Sequence, residues 1–254
     1  MAVITGGAAG IGRAIADRFA AEGWQVHVCD ADPEAVRRFQ AEMPSCSASV
    51  TDVSNVSQVD ALFDDVAARY GRLDVLVNNA GIAGPTALVE DIAPADWERT
   101  VAVDLNGQFY CARRAVPMLK AAGGGSILVT ASSAALFGCP LRAPYTACKW
   151  ALIGFMKTLA MELGPHRIRV NAICPGSVRG PRIDGVIEGD AKQRGLAAAE
   201  IRRLYERQTS LRSFVDAEDI ANAAFFLASP QGAMISGQAL GVDGHTESLS
   251  NWLD

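Results

Sequence analysis

The sequence predicts an α/β fold in which a doubly wound, parallel, seven-stranded sheet is covered by helices on both faces. Three observations carry that prediction. Short apolar runs alternate with longer amphipathic segments along almost the whole chain, the pattern of strands buried on both faces and joined by crossover helices. The first apolar run leads straight into a glycine-rich turn, Thr5-Gly6-Gly7-Ala8-Ala9-Gly10-Ile11-Gly12, and then into an apolar-periodic segment. No linker, repeat or low-complexity tract divides the 254 residues, so 1–254 reads as one domain, a length that single α/β domains reach.

The strands are expected at 2–6, 24–29, 46–50, 73–77, 126–131, 168–173 and 238–242, and helices at 11–22, 55–70, 94–122, 145–164 and 217–228. Between the third and fourth strands, Val56, Val59, Leu62, Phe63, Val66 and Tyr70 recur at three- and four-residue steps, which puts one apolar stripe on a helix. Pro117 falls inside the 94–122 pattern, where a missing amide and a ring clash predict a kink. Asp216 is placed to cap the helix that starts at 217, with Glu218 and Asp219 at the positive end of its dipole. The stretch 179–210 is polar, Gly-spaced and Arg-rich and lacks a strand pattern. Such an insertion in a doubly wound sheet predicts a substrate lid.

Composition narrows the function. The chain is 50% apolar and 20% charged, ordinary for a globular protein with a large core. A formal net charge of −5 argues against nucleic acid as the main partner, because phosphate binding needs clustered Lys and Arg. No apolar run approaches the roughly 18 to 20 residues that span a bilayer. Met1 is followed directly by Ala-Val-Ile-Thr-Gly-Gly with no basic leader, which predicts a cytoplasmic address. Cys29, Cys46, Cys111, Cys139, Cys148 and Cys174 are scattered singly, and His27, His166 and His245 lie far apart. Neither set has disulfide-framework or metal-ligand spacing, so small buried thiols and no metal are expected.

The strand–turn–helix context of the glycine loop is what a dinucleotide (Rossmann) fingerprint requires; the glycine letters alone are a weak signal. Gly6, Gly10 and Gly12, with Ile11 between them, permit tight turning and close backbone approach, so that amides at a helix N-terminus face a pyrophosphate. Asp30 ends the second strand, 18 positions after Gly12, where its carboxylate would accept from both adenosine ribose hydroxyls. An NADP 2′-phosphate would be repelled there by about 4 kcal/mol at 4 Å and an effective dielectric near 20. With no Lys or Arg at Ala8 or Ala9, the expected cofactor is NAD.

Tyr145 and Lys149 are four apart on a helical segment and share a face. An ammonium beside a phenol stabilises the phenolate and brings its pKa of about 10 closer to operating pH. Tyr145 then reads as a general base that takes an alcohol proton while hydride leaves the same carbon. Ser132, at the end of the fifth strand, would hold the substrate oxygen. A Tyr-x-x-x-Lys alone would more often be an exposed helical pair, and only the glycine loop reverses that weighting.

Thr5–Gly12, Asn78-Asn79-Ala80-Gly81, the serine-bearing strand end, Tyr-Thr-Ala-Cys-Lys at 145–149 and Pro175-Gly176 together resemble the short-chain dehydrogenases/reductases over nearly the entire chain. The resemblance implies a secondary alcohol/ketone oxidoreductase. It selects Ser132 over Ser133, since the family serine lies thirteen positions before the tyrosine. It implies that Asp52 and Val53 flank adenine, that Asn79 and Gly81 line the adenosine side, and that Pro175, Gly176 and Val178 border nicotinamide. Lys149 would also contact the nicotinamide ribose, and a homotetramer is expected. Two positions depart from the family pattern. Asp104 stands where the proton-relay asparagine is expected, adding negative charge that opposes phenolate formation if close. After Pro-Gly-Ser-Val the chain reads Arg179-Gly180-Pro181-Arg182, where the family often has a cofactor-contacting threonine.

Arg142, Arg179, Arg182 and Arg212 are candidates to converge on an anion, and Trp252 lies in a tail that reaches a neighbouring subunit in similar enzymes. A guanidinium pairs a carboxylate bidentately, whereas a steroid or acyl pocket is more often aliphatic and aromatic. A small polar hydroxy acid or sugar acid is therefore the expected substrate, against the plainer reading that these arginines are solvated. The competing readings are a 3-oxoacyl-carrier-protein reductase, which predicts NADPH preference and a basic docking patch, and a non-catalytic nucleotide sensor, which needs a damaged Ser-Tyr-Lys set.

Overall fold

A computed structural model describes residues 1–249, and Trp252 lies outside them. Seven parallel strands, β1 (Ala2–Thr5), β2 (Val26–Asp30), β3 (Ser47–Val50), β4 (Val75–Asn78), β5 (Gly125–Thr130), β6 (Ile168–Pro175) and β7 (Ala239–Val242), form one sheet in the order β3-β2-β1-β4-β5-β6-β7. All seven expected strands are present, with β6 running on to Pro175. Order reverses between β1 and β4, which pair Ile4 with Val77. In open parallel sheets the crevice beyond the carboxyl ends at such a switch point is where ligands bind.

The helices are α1 (Gly10–Ala21), α2 (Pro33–Glu42), α3 (Val56–Tyr70), α4 (Pro94–Val101), α5 (Gly107–Ala121), α6 (Ala143–Leu163), α7 (Pro181–Arg194), α8 (Ala198–Arg207) and α9 (Ala217–Ala228). One face of the sheet packs on α3, α5 and α6 through Phe63, Leu119, Leu152 and Met156. The other packs on α1, α2 and α9 through Phe19, Phe39 and Leu227. At about 25 cal/mol per Å² of apolar surface removed from water, these two layers are the main source of stability.

Three expectations need correction. The single helix expected at 94–122 is two helices joined by a π-turn, Ala102–Asn106, closed by the Gly107 amide donating to the Ala102 carbonyl. The irregularity is there, whereas α5 continues through Pro117 to Ala121. Gly107 explains the close packing after that turn: a Cβ on it would lie 2.8 Å from Val53 Cγ2. Secondly, α2 was not expected, although Asp32 caps it, accepting from the Glu34 amide at 2.9 Å, and Pro33 opens it. Thirdly, 179–210 is largely helical. Pro181 and the left-handed Gly195 bracket α7, and α7 and α8 close over Ile187, Ile201, Tyr205 and Phe214. At α9 the Asp219 carboxylate accepts from the Asp216 amide at 2.9 Å, the return half of a capping box.

His27 on β2 is fully buried, its ring between Ser47 Oγ at 2.6 Å and Ser49 Oγ at 3.1 Å. Burial pushes its pKa down to about 4, and the Asp65 carboxylate only partly opposes this. The unfolded chain, with an ordinary His near 6.5, binds the proton first as pH falls. Stability is therefore full above about pH 6.5 and drains away down to about pH 4, by roughly 3 kcal/mol in all. The urea midpoint of the wild type should fall more between pH 7 and pH 4 than that of His27→Gln, which has no imidazole to protonate. Parallel pH dependences would show that His27 contributes none of the slope.

Candidate active site

The glycine loop is built by backbone contact. Gly12 packs so closely on the turn that a Cβ there would sit 2.1 Å from the Gly6 carbonyl oxygen, and Gly6 holds a φ of +59°. Thr5 Oγ1 accepts from the Asn79 amide at 3.0 Å and the Ala80 amide at 2.9 Å. Asn79 Nδ2 donates to the carbonyls of Thr5 at 3.1 Å and Gly6 at 3.2 Å. The end of β4 and the turn after β1 are thus one rigid unit. No side chain caps the N-terminus of α1, which starts after the extended Ala9, so its first amides are left open to an anion.

Asp30 stands at the end of β2, each oxygen holding one backbone amide: Ala8 at 3.3 Å and Asp32 at 3.2 Å. A carboxylate has lone pairs left after two such bonds. Asp52 accepts from the Ser54 amide at 2.9 Å and hydroxyl at 2.7 Å and pairs with Arg99 at 3.2 Å. Burial pushes Asp52 up, but the Ser54 bonds and the Arg99 guanidinium outweigh it and hold the carboxyl below its usual range. Val53 is buried beside it. On the far side of the cleft, β6 ends at Pro175, Gly176 packs on Asp243, and Val178 forms a bridge with Val215. These features fit a dinucleotide: uncapped amides, a cradle that side chains would fill, and a carboxylate at the end of the neighbouring strand β2.

Ser132, extended at φ −175°, accepts from the Ala134 amide at 3.1 Å, and its hydroxyl favours the Tyr145 phenolate. Ser133 is buried one residue further on. Lys149, on the next turn of α6, donates to the Thr130 carbonyl at 3.0 Å, with its Nζ 5.4 Å from the Tyr145 ring centroid. Burial raises the Tyr145 pKa, yet Lys149, Arg182, the Ser132 hydroxyl and Arg142 together bring it below the ordinary tyrosine value. A phenol so placed exchanges a proton more readily than one in water.

Asp104 lies in the π-turn and is fully buried. Its Oδ1 accepts from the Ile82 amide at 2.7 Å, which anchors the loop carrying Gly81, and its Oδ2 is 3.7 Å from Lys149 Nζ. The four arginine candidates separate. Arg142 and Arg182 reach the Tyr145 ring, at 4.8 and 5.9 Å from its centroid. Arg179 instead pairs with Asp216 at 2.9 Å and Ser213 at 2.8 Å. Arg212 donates to the Arg207 carbonyl and lies 3.8 Å from Glu247. Sequence reasoning missed the main-chain partners, the Thr130 and Ala83 carbonyls and the Ile82 amide, which carry no signature in residue type. Among the described residues no cluster of three His, Cys, Asp or Glu is placed to hold a metal, and no helix is long and apolar enough to cross a membrane.

A switch-point cleft with an uncapped helix N-terminus and Ser132, Tyr145 and Lys149 gathered beside it is the arrangement of a nicotinamide-dependent oxidoreductase acting on CH–OH groups. Residues 6–245 match the family profile described as enoyl-(acyl carrier protein) reductase. The chain is 40% identical to momilactone A synthase of Oryza sativa subsp. japonica, over 96% of this chain and 88% of that protein. It is 37% identical to trans-4-hydroxycyclohexanecarboxylate dehydrogenase of Sinomonas cyclohexanicum, over 99% and 94%. Similar solved structures include an NAD+-bound xylitol dehydrogenase, with a TM-score of 0.92 at 28% identity over 96% of this chain and 97% of that one. They also include an actinorhodin polyketide ketoreductase with NADPH, with a TM-score of 0.92 at 32% identity over 99% and 97%. The chain belongs to the short-chain dehydrogenase/reductase family.

Proposed function

We propose that this protein interconverts a secondary alcohol and a ketone with NAD, on a small polar hydroxy acid or sugar acid. The supporting observation for the chemistry is Tyr145, with Arg142, Lys149 and Arg182 4.8, 5.4 and 5.9 Å from its ring centroid, which lower its pKa against its burial. Tyr145 takes the alcohol proton in oxidation and returns it in reduction, Ser132 holds the substrate oxygen, and Lys149 favours the phenolate. The nicotinamide, when bound, supplies the hydride acceptor. Gly6, Gly10, Ile11 and Gly12 turn the backbone to the pyrophosphate, and Asp30 takes the ribose hydroxyls. Asp52, Val53, Asn79 and Gly81 line the adenosine, and Pro175, Gly176 and Val178 border the nicotinamide, whose ribose Lys149 contacts. Asp104 occupies the relay position. Helices α7 and α8 form the lid, and the working form is a cytoplasmic homotetramer.

The hydroxy-acid reading rests on the cationic surroundings of Tyr145 and agrees with a relative whose name carries a carboxylate. A 3-oxoacyl-carrier-protein reductase would use the same trio, but Asp30 disfavours the NADPH which that reading predicts. Oxidation of a panel of hydroxy acids, polyols and hydroxy lipids, followed by NADH absorbance, tests the substrate class. A response confined to uncharged lipids overturns it. Asp30→Ala is expected to narrow the NAD-over-NADP ratio of kcat/KM by roughly 10-fold or more, since a like-charge penalty of a few kcal/mol disappears. An unchanged ratio removes Asp30 from the cofactor assignment.

A further inference from the structure

Among the described residues, three buried or half-buried cations have counter-charge from a carboxylate or from a helix C-terminus. Lys149 lies 3.7 Å from Asp104, and Arg194 pairs with Asp190 at 2.6 Å. Arg169 donates to the carbonyls of Leu227, Ala228, Ser229 and Gly232 at the end of α9, where the helix dipole favours positive charge. Arg142 differs. It is 7% exposed, its Nη2 donates to the Ala83 carbonyl at 2.7 Å, and its buried Nε has no acceptor. Among the described residues no carboxylate forms an ion pair with it. A guanidinium carries five donors in a fixed fork, and burying it without counter-charge is costly. Its location gives that cost a purpose: at the N-cap of α6 it lies over the Tyr145 ring, 4.8 Å from the centroid.

We propose that Arg142 is the anchor for a carboxylate on the substrate, with Arg182 as a second cation on the same side of Tyr145. This deepens the function proposed above and rests on it. The orphaned Nε–H and the remaining N–H groups can donate bidentately to a carboxylate. Arg142 is close enough to Tyr145 that carboxylate and carbinol belong to one short molecule. Arg182 is tied to the Gly81 carbonyl at 3.1 Å, so its head is held near the same cleft. Arg179 and Arg212 take no part, since Asp216, Ser213, Glu247 and the Arg207 carbonyl engage them. The geometry also separates this site from that of a neutral polyol or steroid, which would leave the buried charge uncompensated.

Two measurements test this on the intact protein. The first is calorimetric binding of 3-hydroxybutyrate and cyclohexanecarboxylate to the NADH-loaded protein, beside the corresponding primary amides. The second is kcat/KM for each hydroxy acid and its amide. The wild type should favour acid over amide by at least about 30-fold in both, the scale of losing one partner of a buried charge pair. Arg142→Met should reduce that preference to within a few-fold, mainly through KM, with NADH affinity unchanged. Arg142→Lys, which keeps the charge in place, should retain part of it and serves if the Met variant does not fold. Equal binding of acid and amide by the wild type, or an unaltered preference in Arg142→Met, overturns the anchor. Oxidation of amides or neutral alcohols that still depends on Tyr145 would then leave the catalytic reading standing. Carboxylate binding lost in Arg142→Met but without turnover would uphold the anchor and overturn the catalytic reading.

Discussion

Tyr145→Phe is expected to lower turnover by roughly 10²- to 10⁴-fold, the usual contribution of a positioned acid–base group, while NAD binding stays nearly unchanged. The ring remains against Arg142 and Lys149, so packing is conserved, and only the phenol hydroxyl with its exchangeable proton is lost. The wild-type profile has a definite sign. Oxidation requires the phenolate, whose pKa the surrounding cations hold below that of free tyrosine against the opposing effect of burial. Oxidative kcat should therefore rise with pH through a limb lying below the ordinary tyrosine range, and reduction should fall through the same limb. Stopped-flow turnover across pH together with NADH fluorescence titration checks both halves. Retained turnover in the variant, or a variant that loses NADH binding, would remove Tyr145 from the proton-transfer role.

The architecture was readable because parallel strands buried on both faces are near-continuous apolar runs. Ala2–Thr5 and Val75–Asn78 are buried along their whole length, and no turn chemistry was needed to find them. Helices with few inward residues were harder. α2 buries only Ala35, Val36 and Phe39, too short a stripe to show a period, and its Asp-Pro start was the better signal. In α7 the glycines at 185 and 189 imitate a loop, while Pro181 and Gly195 mark the true ends. The π-turn at Ala102–Asn106 had no local cue, because it depends on the approach of α5 to Val53. The arginines show the limit most clearly. Four residues of one type looked equivalent in sequence, and what separates them is 34 to 37 positions away for Arg179, at Ser213 and Asp216. Fold follows from patterns along the chain, whereas the electrostatics of the site follow from partners brought from elsewhere.

Asp104 and Lys149 supply the second large effect. Lys149→Met is expected to cost stability as well as activity, because it leaves a fully buried carboxylate with a single amide donor and no counter-charge. Breaking one side of a buried pair costs about 3 to 5 kcal/mol, on the order of 10 °C in melting temperature for a domain of this size. Asp104→Asn should repair that loss: it keeps the acceptor for the Ile82 amide and removes the stranded charge. The double variant is therefore expected to melt near the wild type while its turnover stays roughly 10²-fold or more down, since Tyr145 has lost the cation that lowers its pKa most. In the single Asp104→Asn variant the charge opposing phenolate is gone, so the oxidative limb should move to lower pH. Melting curves and pH profiles of the four proteins form one cycle. A double variant as unstable as Lys149→Met alone would mean that the lysine stabilises the fold through its bond to the Thr130 carbonyl rather than through Asp104.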